Sequence, residues 1–309
     1  MRIAIMGSGG VGAYVGARLQ AAGERVAFIA RGAHLQALQQ QGLRLEGPTH
    51  PLHLPQVEAT DAPSQVGPVD LIVFAVKLWD TDAAARAMLP MIGPDTRVLT
   101  LQNGIDSVAM IRPHTGAAAV RGGVIYVSAV IDRPGVIRSP GGLHRIVADA
   151  AHGDPVMAAF AAACERATAL DAQLTGSIDV ALWEKFVALS ALSAATALLR
   201  ASMGQILAHD ETRALQRQLV DEAAAVGRAA GVALRSDLSD DVMTKLAAMP
   251  YGFRASMAED LMRGHRLELP WLSGRVHALG QALGVPTPAH TTAYRALLLY
   301  IDGTPAVQA

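Results

Sequence analysis

The sequence predicts an α/β amino-terminal domain on a parallel sheet, followed by an all-α carboxy-terminal domain. Three observations carry this reading. Short apolar runs alternate with helical patterns through the first third of the chain. A β-branched stretch punctuated by Gly and Pro follows, and from about Ser177 the periodicity is almost wholly helical. A chain of 309 residues that is 51% hydrophobic and 17% charged has the length and apolar content for two such domains.

The elements follow in order. Arg2–Met6 reads as a buried strand and Gly10–Ala22 as a helix with a small-residue face. Arg25–Ala30 is a second strand and His34–Gln41 a second helix. After the loop Pro63–Pro68, Leu71–Val76 reads as a third strand, Asp80–Leu89 as a helix and Arg97–Leu101 as a fourth strand. Alternation at this spacing implies right-handed βαβ units, hence a sheet covered on both faces. Val120–Val130 and Gly135–Asp149 read as a meander added to the sheet edge. The helical half comprises Ile178–Leu199, Glu211–Ala230, Asp240–Ala248, Ala255–Gly264, Glu268–Leu283 and His290–Tyr300, with Gly or Pro near their ends. The composition shift near Gly176 sets the boundary, giving domains 1–175 and 176–309. An α/β domain followed by an all-α domain is expected to leave a ligand cleft.

Composition removes several functional classes. Lys+Arg is 26 against 27 Asp+Glu, a net charge of −1, so no global field draws nucleic acid or an anionic membrane. The single Cys164 excludes an intramolecular disulfide and suits a reducing compartment. The apolar run Ile3–Met6 ends at Gly7, too short for a signal-peptide core or a membrane span, so a cytoplasmic protein is expected. No H-x-x-x-H, H-E-x-x-H or G-x-S-x-G pattern occurs, so metal-assisted hydrolysis and a serine elbow are set aside and no metal is assigned. His209, His265 and His277 read as surface or rim residues, Cys164 as buried and inert, and Trp79 and Trp183 as packing anchors, with the lining of a ligand pocket as the alternative for either tryptophan.

The sharpest local signal is Gly7-Ser8-Gly9-Gly10-Val11-Gly12. It follows the first strand immediately and opens a helix, the context in which G-x-G-x-x-G binds a dinucleotide. Gly7 permits the tight turn, Gly9 lets the backbone approach a pyrophosphate, and Gly12 lets the helix pack on the sheet. The helix amino terminus adds unpaired N–H groups and a favourable dipole. At the end of the second strand an NAD site would place an acid about 20 residues beyond the glycines. Phe28-Ile29-Ala30-Arg31-Gly32 has none, and the Arg31 guanidinium suits a 2′-phosphate, which points to NADP. A solvated loop arginine is the competing reading of Arg31. Lys77 and Asn103 follow the third and fourth strands, beyond the carboxyl ends where open parallel sheets bind ligands.

With the glycine loop, Arg31, Lys77 in Val76-Lys77-Leu78-Trp79 and Gln102-Asn103-Gly104 in this order, the chain resembles the ketopantoate (2-dehydropantoate) 2-reductases. The likeness continues at Trp183-Glu184-Lys185-Phe186, Ser256-Met257, Glu268 and Ser273-Gly274, so it spans nearly the whole chain. It implies a Rossmann-type NADP-binding domain, a helical substrate and dimerisation domain, and NADPH-dependent reduction of 2-oxo acids on the route to pantothenate. A small-molecule 2-oxo acid and a second copy of the chain are then the expected partners.

The resemblance makes Lys185 the general acid, since hydride delivered to a ketone leaves charge on oxygen that an ammonium stabilises and protonates. Desolvation in a closing cleft would lower its pKa. Glu268 would hold the substrate hydroxyl or Lys185; read alone, it is a first-turn acid before Pro270. Ser256 would meet the substrate carboxylate, with a helix N-cap as its plainer role. Asn103 would bridge nicotinamide ribose and substrate, with a turn residue before Gly104 as its plainer role, and Lys77 would contact the cofactor or screen the substrate carboxylate.

Lys185, Leu189 and Ser193 share one helix face. Typical family members carry asparagines at the latter two positions, lining the substrate pocket. Ser273 likewise stands for an asparagine and Pro270 for an acid. Loss of those amides predicts a lowered preference for ketopantoate relative to other 2-oxo acids. Three readings therefore stand: a ketopantoate reductase, a dehydrogenase for another 2-hydroxy acid on the same scaffold, and a non-catalytic NADP sensor.

Overall fold

A computed structural model describes residues 1–117, 119–150 and 153–304. It forms two compact units, Met1–Ile178 and Asp179–Ala309. In the first, the described strands are β1 (Arg2–Met6), β2 (Arg25–Ile29), β3 (Leu43–Glu46), β4 (Leu52–Leu54), β5 (Glu58–Thr60) and β6 (Val69–Phe74). They continue with β7 (Ile92–Thr100), β8 (Val120–Tyr126), β9 (Val130–Arg133), β10 (Val136–Arg138), β11 (Arg145–Asp149) and β12 (Asp171–Thr175). The helices between them are α1 (Gly10–Ala21), α2 (Gly32–Gln41), α3 (Thr81–Ala87), α4 (Ser107–Thr115) and α5 (Pro155–Arg166).

The main sheet runs β12-β11-β8-β7-β6-β1-β2-β5, parallel throughout except where β11 meets β8. Its central strands are apolar on both faces because each face has its own core. Ile3, Ile5, Leu71, Val73 and Leu99 point into one layer, with Leu19 of α1 and Phe160 of α5. The alternate residues Ala4, Met6, Ile72, Phe74 and Val98 point into the other, with Ala84 of α3 and Ile111 of α4. The strand order turns at β1, with β2 on one side and β6 on the other, so the carboxyl ends there form the switch-point crevice of an open α/β sheet.

Two expectations need correction. The stretch Val120–Asp149 is not one edge meander. β8 and β11 extend the main sheet, but β9 and β10 leave it for a second sheet ordered β4-β3-β10-β9. The partners β3 and β4, with β5, come from a stretch where no strand was expected. These strands are three or four residues long, and β3 is held by register with a segment far away in sequence, as Leu45 is by Ile137.

The second unit is helical as expected: α6 (Ile178–Leu198), α7 (Met203–Ala208), α8 (Asp210–Ala229), α9 (Leu238–Ala247), α10 (Ser256–Met262), α11 (Ser273–Leu283) and α12 (Pro288–Leu297). α6 is long and apolar enough to cross a membrane, but it is mostly buried in the fold. Trp183 meets Phe186 edge-on at 5.3 Å and lies over Gly227 of α8, where a Cβ would come within 2.8 Å of its ring. Trp183 is thus a packing anchor. The predicted helix Glu268–Leu283 is broken: a 3₁₀ turn, Leu269–Trp271, precedes α11, and Leu272 between them leaves helical geometry at φ −111°, ψ −102°. Pro270 tolerates the short turn because its missing N–H falls where none is needed.

Candidate active site

In the first unit the glycine loop is shaped by close approaches. Gly7 adopts φ +97°, and a Cβ on it would stand 2.8 Å from the Val76 backbone nitrogen, so β1 and β6 converge there. A Cβ on Gly12 would stand 2.2 Å from the Gly7 carbonyl oxygen, and one on Gly10 would stand 2.1 Å from the Ala129 carbonyl oxygen. Side chains at these positions would push the loop apart. Gly9 differs: a Cβ there meets nothing within 4 Å, so the loop is open at its tip, where a pyrophosphate would approach. Val11 is half-buried just behind it. Ser8 is buried and donates its backbone N–H to the Ile29 carbonyl at 2.9 Å, which ties the loop to the end of β2. Beyond that strand end, Arg31 is exposed and caps α2.

Lys77 and Asn103 stand beyond the ends of β6 and β7. Lys77 is exposed, with its ammonium 5.5 Å from the centre of the Trp79 ring. Asn103 is half-buried beside Gly104, which takes φ +85°. Both turns are held by Gln102, to which the sequence assigned no role beyond its place in the motif. Its buried amide donates to the Val76 carbonyl at 3.0 Å and to the Thr81 hydroxyl at 2.8 Å, and accepts from the Thr100 hydroxyl at 3.2 Å. A glutamine directly before Asn103 at a strand end was the available signal.

In the second unit, Lys185 is half-buried on α6, where burial pushes its ammonium down to about 8 and the nearby Glu268 carboxylate opposes that shift. Glu268 is buried and precedes the 3₁₀ turn, its carbonyl accepting from the Trp271 N–H at 3.1 Å, so it is not a first-turn residue of α11. Leu189, one turn beyond Lys185, is half-buried and apolar. Ser193, a turn further, is wholly buried and its hydroxyl makes no hydrogen bond. Ser256 is exposed at the first position of α10; Ala255, not Ser256, occupies the cap. The fold thus brings Lys185 and Glu268 within each other's field, while Ser256 and Ser193 show opposite extremes of exposure.

Sequence reasoning missed the buried group behind these helices. Glu222 on α8 accepts the N–H groups of Ala289 and His290, both at 2.9 Å, and so caps α12 from outside. His290 donates from Nε2 to the Leu219 carbonyl at 2.9 Å, and Ser273 donates to its Nδ1 at 3.3 Å. Burial pushes the His290 imidazole down to about 4, so it stays neutral. Cys164 is buried, and burial raises its thiol to about 12. Among the described residues no group of three or more His, Cys, Asp or Glu side chains is placed to hold a metal ion.

Comparison with known proteins matches both halves. Residues 3–151 fit the family model described as ketopantoate reductase PanE/ApbA, and residues 177–300 fit its C-terminal counterpart. A 2-dehydropantoate 2-reductase from Mesorhizobium japonicum is 30% identical, covering 93% of this chain and 94% of the relative. The crystal structure of a PanE/ApbA family ketopantoate reductase from Ralstonia eutropha superimposes with a TM-score of 0.88 at 34% identity, over 97% of this chain and 98% of that one. A D-mandelate dehydrogenase solved with NADH and anilino(oxo)acetate shares the fold, with a TM-score of 0.86 at 22% identity over 97% of this chain and 98% of that one. Matched in both halves and over nearly its whole length, the chain belongs to the ketopantoate reductase family of oxidoreductases.

Proposed function

We propose that the protein reduces a 2-oxo acid with NADPH, ketopantoate being the reference substrate, and that Lys185 is the general acid. The observation that carries this is the half-buried Lys185 ammonium, lowered to about 8 by burial and opposed by Glu268. An acid works best with a pKa near the working pH, and an ordinary lysine at 10.5 is too weak a donor. A sensor that only binds cofactor has no use for such a group.

The first unit fits a nicotinamide dinucleotide. The open tip at Gly9 receives the pyrophosphate and the exposed Arg31 forks to a 2′-phosphate, which selects NADP. Bound there, the cofactor supplies a hydride to the C2 carbonyl carbon. Lys77 and Asn103 hold the ribose, their turns fixed by Gln102. Lys185 stabilises the negative charge growing on the carbonyl oxygen and gives that oxygen its proton. Glu268 keeps the ammonium protonated and orients it.

Leu189 favours a second reading of substrate. One turn from Lys185 it offers an apolar surface and no hydrogen-bond partner for a substrate hydroxyl. That suits 2-oxo acids with branched or aromatic side chains. The test is NADPH oxidation at 340 nm with ketopantoate and a panel of such acids, for wild type and Lys185→Ala. Turnover that falls about a hundredfold or more in the variant supports the reading. No turnover of any 2-oxo acid, or an equally active variant, refutes it.

A further inference from the structure

Lys77 and Trp79 stand on either side of the buried Leu78, in the turn that leaves β6. The backbone beneath them is clamped at both ends. Gln102 donates to the Val76 carbonyl at 3.0 Å before the pair and to the Thr81 hydroxyl at 2.8 Å after it. Within the turn, Asp80 donates its N–H to the Lys77 carbonyl at 2.9 Å, and the Thr81 hydroxyl donates to the Leu78 carbonyl at 2.8 Å. The turn is also seated against the glycine loop, since a Cβ on Gly7 would stand 2.7 Å from Cγ1 of Val76. A fixed backbone does not by itself direct the ammonium at the end of a lysine's flexible four-carbon stem. Here the ammonium of the exposed Lys77 lies 5.5 Å from the centre of the half-buried Trp79 ring, within the range at which a π face attracts a cation.

We propose that Trp79 is a positioning residue for cofactor binding, its ring holding the Lys77 ammonium at the carboxyl end of β6 beside the glycine loop. A lysine that grips a ligand gives up the rotamer freedom of a long side chain. One that already rests on a ring has given up much of that freedom before the ligand arrives, so less is lost on binding. The indole is the rigid member of the pair, half-buried and with only two side-chain torsions to fix. A ring also suits the task because it draws the ammonium without bringing a counter-charge, which leaves the cation's attraction for an anionic dinucleotide in place. The role goes beyond packing, and it rests on the NADPH reading above.

A double-mutant cycle on NADPH affinity, read by fluorescence titration, separates holding Lys77 from packing the turn. The variants are Trp79→Leu, Lys77→Met and the two together, with Trp79→Phe as the conservative exchange. Trp79→Leu is expected to raise the Kd about fivefold and Lys77→Met about tenfold. The double variant is expected to match Lys77→Met within about twofold, because a ring with no ammonium to hold contributes nothing. Trp79→Phe keeps a π face and is expected to stay within about twofold of wild type. Packing lost in Trp79→Leu is lost in both backgrounds, so it cancels from the cycle. A Trp79→Leu Kd within twofold of wild type overturns the proposal. So does a double variant weaker than Lys77→Met by the full effect of Trp79→Leu, or a Trp79→Phe as weak as Trp79→Leu, since either makes Trp79 a packing residue alone. An unchanged Kd in Lys77→Met overturns it by removing Lys77 from the cofactor site. If wild type binds no NADPH, the cofactor reading falls with it.

Discussion

The proton on Lys185 gives the most exposed test of the mechanism. Reduction needs the ammonium, and with a pKa of about 8 it is about nine-tenths protonated at pH 7 and about one-tenth protonated at pH 9. The single-turnover rate should therefore be level below pH 7 and about tenfold lower at pH 9, falling a decade per unit beyond. A solvated lysine would keep the rate level through pH 9. Glu268→Gln removes the charge that raises the ammonium's pKa, so the falling limb should move to lower pH whatever happens to the plateau. The assay is stopped-flow NADPH oxidation at saturating 2-oxo acid from pH 6 to 10. Unfolding does not imitate the result through this group. A lysine whose pKa is lowered on folding is a cost, present in full below about pH 8 and relieved as pH rises towards 10.5, so its contribution to stability improves over that range. A level wild-type profile through pH 9.5, or a limb displaced upwards in Glu268→Gln, would refute the reasoning.

Two further outcomes are expected. Leu189→Asn restores a polar group one turn from Lys185, and the ratio of kcat/KM for ketopantoate to that for an apolar 2-oxo acid should rise about tenfold or more; an unchanged ratio means Leu189 does not meet the substrate side chain. Glu222→Gln leaves one charged acceptor fewer for the two N–H groups that open α12, a loss of about 1–3 kcal/mol. A Tm lower by about 3–9 °C in thermal denaturation is the expected reading, and a Tm within 1 °C of wild type would show that the cap is dispensable.

The parts of the fold legible in the sequence are those whose cause is local. β1 and α1 are written in a four-residue apolar run and a glycine loop that nothing else in the chain has to complete. β3, β4, β9 and β10 are too short to hold themselves, and the pairing that joins β3–β4 to β9–β10 runs between residues about ninety apart, as in Arg44 with Val136. Their register is a tertiary fact, and no period within either stretch carries it. The break at Leu272 is similar: Pro270 signals a helix start, and whether the turn before it stays 3₁₀ depends on what Leu269 and Leu272 bury.

The same division explains the site. Lys185 stands out in sequence because a charge in an otherwise apolar helix needs a reason, and Arg31 stands out because an acid is missing. The acidity of Lys185 is not legible, since burial lowers its ammonium while a carboxylate 83 positions later in the chain opposes that shift. Helix spacing put Leu189 and Ser193 on one stripe with Lys185, but the fold treats them differently. Leu189 keeps some exposure, whereas Ser193 is sealed in with an unbonded hydroxyl, too short and too deep to replace the reach of an asparagine. On the proposed function, discrimination near Lys185 would therefore fall on Leu189. An apolar wall there recognises a substrate by the surface it buries, and one methylene shifts that by only about 1–3 kcal/mol. On that proposal, a scaffold that loses its amides in this way would exchange strict selection of one hydroxylated 2-oxo acid for graded acceptance of several apolar ones, and would do so without touching Lys185 or Glu268.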